Sequence, residues 1–257
     1  MRRFAFLALA VLIAVGCSSE APLEATEGAA KTALWDGLLR RYGIDGGLDY
    51  EGLAGERPVL DEYLDSVAAT DLAALGEKQR LAFWLNAYNA GVARFVLERY
   101  PGLESVETVD GFFDELRFPV AGRSMTLDEV EGEARAGGDA RVHFAVVCAS
   151  TSCPDLLAEA YVGDRLEQQL ESQTRRFLAD RSKGLRFDRA EGRLELSSIF
   201  KWYAGDFTGG STVVAFFARS KVVAWISPHL AGELAAELEE SEPSVRYLDY
   251  DWSLNDR

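Results

Sequence analysis

The chain has 257 residues, 48% of them hydrophobic and 11% aromatic, enough for one ordinary domain with a sizeable core. Its 42 acidic side chains outnumber 27 basic ones, for a net charge of −15. That balance argues against nucleic acid or an anionic lipid surface as a partner, and it favours solubility or a cationic ligand, a solvated acidic surface being the plainer explanation.

The N-terminus reads as an export signal. Met1-Arg2-Arg3 is basic, Phe4 to Val15 is an apolar run too short to span a bilayer, and Ala14-Val15-Gly16 brings small residues up to Cys17. Residues 1–16 thus form a secretory signal peptide. With a cysteine at the cut it resembles a bacterial lipoprotein signal, departing only at Ala14, where a larger aliphatic residue is usual. The resemblance implies that Cys17 is the first mature residue and carries acyl chains such as palmitate. Several chains anchor firmly where a single one anchors weakly. An ordinary secretory signal cut nearby is the alternative. Loss of Arg2 and Arg3 with the signal leaves 25 of the 27 basic residues and moves the net charge from −15 to −17. The expected location is the bacterial cell envelope, on the outer membrane or periplasmic face rather than in the cytoplasm, with the membrane engaged through lipidated Cys17.

Residues 17–32 are small, polar and acidic, a tether reaching about 20 Å as a random coil. Residues 33–257 are expected to form a single domain. Trp35, Leu38, Leu39 and Tyr42 share a helical face, as do Leu60, Tyr63, Leu64 and Val67. Lys78 to Tyr100 is apolar nearly all round, which predicts a buried central helix ended by Pro101-Gly102. Leu81 to Leu97 within it comes nearest to a membrane span, but Asn86, Asn89 and Arg94 interrupt the roughly 20 apolar residues a span needs. Arg117 to Val120 and Ser124 to Thr126 suggest a hairpin. Thr126-Leu127-Asp128-Glu129 is a capping box opening a helix that Gly137-Gly138 closes. Arg141 to Cys148 predicts a buried strand. Asp164 to Glu167 is a second capping box, opening a helix that buries Leu166, Leu170, Phe177 and Leu178. A hairpin over Leu185 to Phe187 and Leu194 to Leu196 follows. Then come the aromatics Phe200, Trp202, Tyr203 and Phe207, a short helix at Val213 to Ala218, a strand at Val222 to Ile226, and a last helix from Ser227-Pro228. Helices outnumber strands and the order is not β-α-β. The fold class is therefore α+β: one compact, helix-rich domain with the central helix packed on a small mixed or antiparallel sheet.

Four segments carry a family resemblance: Phe83 to Ala90, His143 to Pro154, Ile199 to Tyr203 and Tyr250 to Asn255. Together they resemble the domain of unknown function 547 family, from about Gly46 to the C-terminus. That resemblance implies no activity and no site residues.

The chemistry must be read from the residues. Cys148 as a nucleophile needs a base or a positive field. His143 lies five residues away, which an unbroken strand would place about 16 Å off and on the opposite face. His143 then serves as base only if the strand breaks. His229 follows Pro228 at an expected helix start, where the macrodipole favours the neutral imidazole. A cysteine with a distant downstream histidine suits a papain-like arrangement by analogy alone. Alternatively, Cys148 and Cys153 close a short disulfide loop in an oxidising compartment, worth roughly 2 kcal/mol. A redox-active pair and a metal site with His143 are weaker options, and no metal or cofactor is expected. Asn86 and Asn89, three apart in an apolar helix, either tie a loop to that helix or face a ligand. Trp202 and Tyr203 are core, or a stacking surface. Arg141 with Asp155, and Asp251 with a buried arginine, are candidate ion pairs. No phosphate loop, two-histidine zinc helix or nucleophile elbow is present in the sequence. Two functions fit: a non-catalytic domain binding a ligand or a protein or peptide partner in the envelope, its Cys148–Cys153 bridge structural, or a thiol-dependent hydrolase or transferase acting on peptide- or amide-containing envelope substrates.

Overall fold

The structure, a computed structural model, describes residues 30–209, 215–230 and 232–257. The signal segment, Cys17, nearly all of the tether and the start of the expected Val213–Ala218 helix lie outside them. The described chain runs α1 (Thr32–Tyr42), β1 (Gly43–Ile44), β2 (Gly47–Leu48), α2 (Tyr50–Ala54), α3 (Arg57–Ala68) and α4 (Glu77–Leu97). It continues through β3 (Arg117–Val120), β4 (Arg123–Thr126), α5 (Leu127–Arg135), α6 (Leu166–Ala179), β5 (Leu185–Asp188) and β6 (Arg193–Leu196). It ends with α7 (Ile199–Trp202), α8 (Ala204–Thr208), α9 (Ala215–Ile226), α10 (Leu234–Ser241) and β7 (Ser244–Tyr247). The class is α+β. The sheet is three small pieces: the antiparallel pairs β1–β2 and β3–β4, and β5–β6–β7, in which β7 runs parallel to β6.

α4 is the axis, as its composition predicts. From Ala82 to Leu97 every residue but Arg94 is buried. Helices α3 and α5 and the β3–β4 hairpin pack around it. Gly91 makes the hairpin's approach close, since a Cβ there would sit 2.6 Å from the Phe118 ring. The hairpin runs straight into α5 through the expected capping box: Glu129 N–H donates to Thr126 Oγ1 at 3.2 Å, and Thr126 N–H to the Glu129 carboxylate at 2.9 Å. A second apolar cluster gathers Phe144, Phe177, Phe200, Phe207 and the inner faces of β5 and β6.

Several elements differ from expectation. Arg141 to Cys148 is not a strand. Ala140–Phe144 is a 3-10 turn capped by Asp139, and irregular backbone follows it. Phe144 turns into the aromatic cluster, its ring 4.9 Å from that of Phe177. Asn89 takes the place of a neighbouring strand, donating to Ala145 C=O at 2.9 Å and accepting from Val147 N–H at 2.9 Å. Val222 to Ile226 is the end of helix α9, with Val222 and Ile226 buried four apart on one face; a short apolar run does not separate strand from buried helix. Asp164 caps nothing: a 3-10 turn at Gly163–Arg165 leads into α6 without a side-chain cap. Ser227–His229 is likewise a 3-10 turn, separate from α10.

The C-terminal tail stitches the domain together. Leu254 N–H donates to Glu104 C=O at 2.8 Å, Asn255 N–H to Ala149 C=O at 3.0 Å, and Leu48 N–H to Asn255 C=O at 3.3 Å. Thr151 N–H donates to Ser253 C=O at 2.8 Å.

Asn89→Ala should leave the Ala145 carbonyl and the Val147 amide buried without partners. At about 1–3 kcal/mol each, the expected loss is roughly 2–6 kcal/mol in urea unfolding. A loss under about 1 kcal/mol would show that Asn89 does not hold this segment.

Candidate functional site

A cleft of about 410 Å³ opens where α4, α5, the Ala145–Pro154 segment and the two aromatic C-terminal stretches meet. Its lining includes Cys148, Cys153 and His143, which the sequence had set apart by strand geometry. Without a strand, the alternation that would put them on opposite faces does not apply.

Cys148 and Cys153 form a disulfide, with Cα atoms 6.3 Å apart. The turn between them closes through Ala149, whose φ of 64° lies in the left-handed region. Cys153 is buried, whereas Cys148 is only partly so. Polar groups converge on the bridge. Cys148 N–H donates to Cys153 Sγ at 2.9 Å, and the Tyr250 hydroxyl lies 3.3 Å from Cys153 Sγ and 3.4 Å from Cys148 Sγ. Ser150 Oγ is 3.0 Å from Cys148 Sγ and donates to the Tyr250 oxygen at 3.2 Å. Burial pushes the Tyr250 hydroxyl up to about 12, with the Ser150 hydrogen bond opposing.

A partly buried charge network runs from His143 and Glu131 in the cleft lining to Asp206 and Arg135. His143, 3% exposed, places Nε2 2.8 Å from Asp206 Oδ2, and Arg135 Nε donates to the same oxygen at 2.8 Å. Arg135 Nη1 is 3.6 Å from Glu131 Oε1, and the guanidinium lies over the Tyr203 ring at 4.7 Å. Tyr203 hydrogen-bonds Glu131, and its ring centroid is 4.0 Å from that of His143. Burial lowers the His143 pKa, and this outweighs the upward pull of Asp206. Burial alone would raise Asp206, but hydrogen bonds from Arg135 and His143 hold it below the ordinary carboxylate range. Glu131 is raised chiefly by burial, against its bonds to Tyr203 and Arg135. Asp128 is raised by burial and by neighbouring Asp114.

The remaining candidates have other places. His143 is turned to Asp206, and no hydrogen bond joins either histidine to a sulfur among the described residues. His229 lies outside the cleft lining, its Nδ1 2.9 Å from Glu171 Oε2 and its ring against Trp225. Asn86 and Asn89 also lie outside the lining. Asn86 donates to Tyr161 C=O at 2.8 Å and accepts from Tyr161 N–H at 2.9 Å, so both amides serve loop backbone. Trp202 is 48% exposed and stacks at 5.9 Å on Trp252, a surface platform rather than core. Arg141 pairs with Asp139 and Glu167, and Asp155 with Arg176 and Lys183, so they do not pair with each other. Asp251 caps its own turn, accepting from Ser253.

Glu131, Arg135 and Asp206 escaped the sequence reading. One signal was present. Glu131 stands four residues after Leu127 and beside Val130, on the face that α5 buries. A charge there breaks the amphipathic pattern. Nothing local marks Asp206, which α8 delivers from far along the chain.

Residues 72–178 match the family model described as protein of unknown function, DUF547. Over those residues the chain is similar to that family. The DUF547 region supplies His143, both cysteines, Glu131 and Arg135. Trp202, Tyr203, Tyr250 and Trp252 close the cleft from beyond it, and Asp206, also beyond it, pairs with Arg135 and His143. No curated protein and no solved structure gives a significant match to the chain.

The sign of one pH effect follows. His143 has a folded pKa below its ordinary 6.5, so the unfolded chain takes up its proton first. Its stability contribution is present above that value and is lost as pH falls through the folded pKa. Urea midpoints at pH 7 and pH 5 should therefore drop more for the wild type than for His143→Gln, whose amide can still donate to Asp206. Equal drops would assign the acid sensitivity to other groups.

Proposed function

We propose that this chain is a lipid-anchored binding domain of the bacterial cell envelope. Its cleft holds a ligand or a segment of a partner, and the Cys148–Cys153 bridge fixes the cleft floor. The observation that carries the reading is the joined pair of sulfurs at the base of an aromatic-walled cleft. A bridged Cys148 has no thiolate to offer as nucleophile. Its size falls within the range of ordinary small-molecule or peptide sites, roughly 300–1,000 Å³. The anchor rests on the basic, apolar, small-residue run that ends at Cys17.

A second reading has one observation in its favour. His143, which lines the same cleft as Cys148, has Asp206 as an orienting partner. On reduction, the thiol would share a cavity with that histidine, the arrangement a thiol-dependent hydrolase or transferase of peptide or amide substrates needs.

Thiol labelling and unfolding separate the two. The bridge reading expects no labelling of Cys148 or Cys153 in the native oxidised protein. It expects Cys148→Ser with Cys153→Ser to cost roughly 2 kcal/mol, with the cleft still binding below the lowered midpoint. Amide or ester hydrolysis that appears on reduction and vanishes in both Cys148→Ser and His143→Ala would instead establish the enzyme. Mass spectrometry of the mature N-terminus should find an acylated Cys17. An unmodified start at Ser18 or Ala21 would remove the anchor.

A further inference from the structure

The acid wall of the cleft has a shortage of cations. Asp114, Asp128 and Glu131 all line it, and among the described residues no lysine or arginine does. Among the described residues neither Asp114 nor Asp128 forms an ion pair, while Arg135, the cation nearest Glu131, is already committed to Asp206. Asp114 lies close enough to disfavour the charge on Asp128. Two exposed carboxylates beside the buried Glu131 make this wall negative and favour a counterion there.

Tyr88 gives a second, independent sign. It lines the cleft from α4 and is only 3% exposed, yet its hydroxyl has no hydrogen-bond partner among the described residues. The charges of Glu131 and Asp128 act on that hydroxyl, which places it on the acid side of the cleft. The side chain is buried but its oxygen is not sealed off, so a donor or acceptor bound in the cleft can reach it. In the same lining, Trp202, Trp252 and Tyr250 pack ring to ring at 4.7–5.9 Å. Such faces attract organic cations by the ring quadrupole and cover an alkyl stem by contact. A bare metal ion fits less well, since among the described residues no group of His, Cys, Asp or Glu is placed to hold one.

We propose that this cleft takes an organic ammonium ion, its charge against Asp114, Asp128 and Glu131, its N–H near the Tyr88 hydroxyl and its alkyl chain along the Trp202–Trp252 platform. The assignment rests on the binding reading above and names its ligand class. The ammonium can come from the side chain of a lysine-bearing peptide or from a free polyamine, and the test separates the two.

Tryptophan fluorescence of the full chain is titrated with acetyl-Ala-Lys-Ala-amide, with the same peptide Nε-acetylated on its lysine, with spermidine, and with a neutral disaccharide. At least one ammonium probe should bind saturably, and the lysine peptide, if it is the one held, about tenfold or more tighter than its acetylated form. Saturation by the lysine peptide alone identifies a peptide source, and saturation by spermidine alone a polyamine source. Asp114→Asn with Asp128→Asn, at exposed positions that do not threaten folding, should weaken the ammonium probe about tenfold and leave neutral probes unchanged. Tyr88→Phe should weaken it about fivefold. Equal binding of the acetylated and free peptides, or no effect of the paired Asp variant, overturns the ammonium assignment while the binding reading stands. Saturation by neutral probes alone does the same. Silence in every arm removes both.

Discussion

A helix buried on every side offers no water to its polar side chains, so any amide it carries must find its partners in the protein. In α4 those partners are the loops that build the site. Asn89 uses its amide donor and its carbonyl oxygen on Ala145 and Val147, and Asn86 does the same for Tyr161. The Ala145–Val147 stretch lies between His143 and Cys148, so the position of both depends on an amide that touches neither. The mechanism is that of a β-ladder with one strand replaced by a side chain. It frees the backbone from strand geometry and lets successive residues leave in different directions: Phe144 to the aromatic cluster, His143 to Asp206, Val147 to the core.

The C-terminal tail supplies the second constraint. Its backbone bonds to Glu104, to Ala149 and Thr151 in the bridge turn, and to Leu48 near the other end of the domain. The Tyr250 hydroxyl then rests on both sulfurs. The bridge turn is thus held from one side by α4 and from the other by the tail, which is how a partly exposed segment without regular structure, with Ala149 at positive φ, keeps one conformation. The family match covers the first of these supports and not the second.

How much was legible in the sequence follows the range of the interactions. α1, α3, α4, both hairpins and the α5 cap rest on periodicity and on side-chain to backbone bonds within a few residues, and all are present. The Cys148–Cys153 bridge is also local, five residues apart, and was one of the options open. Arg141 to Cys148 and Val222 to Ile226 failed as strands for a shared reason. A short apolar run is a statement about burial, and burial alone does not choose a backbone. The Asn89 bonds settle the first case and the i, i+4 packing of Val222 and Ile226 the second; both are tertiary. β7 pairs in parallel with a strand far earlier in the chain, which no local pattern announces. The charge network was missed because its members come from α5, α8 and a 3-10 turn, each unremarkable alone.

That network sets the character of the cleft. Among the described residues Arg135 is the one arginine or lysine paired with both Asp206 and Glu131, and its closest contact goes to Asp206. Glu131 is left with a tyrosine hydroxyl and a longer ion pair, at 7% exposure, and burial therefore raises its pKa. A core shaped by stability alone would place a neutral residue there, since a buried carboxylate short of partners is destabilising. Local conflicts of this kind concentrate where a site must meet something outside the chain. Here the conflict lies in a cleft that is also lined by aromatic rings, and its missing charge is positive. The acidity of the whole chain adds a long-range field of the same sign, which would raise the local concentration of a cation before any contact is made.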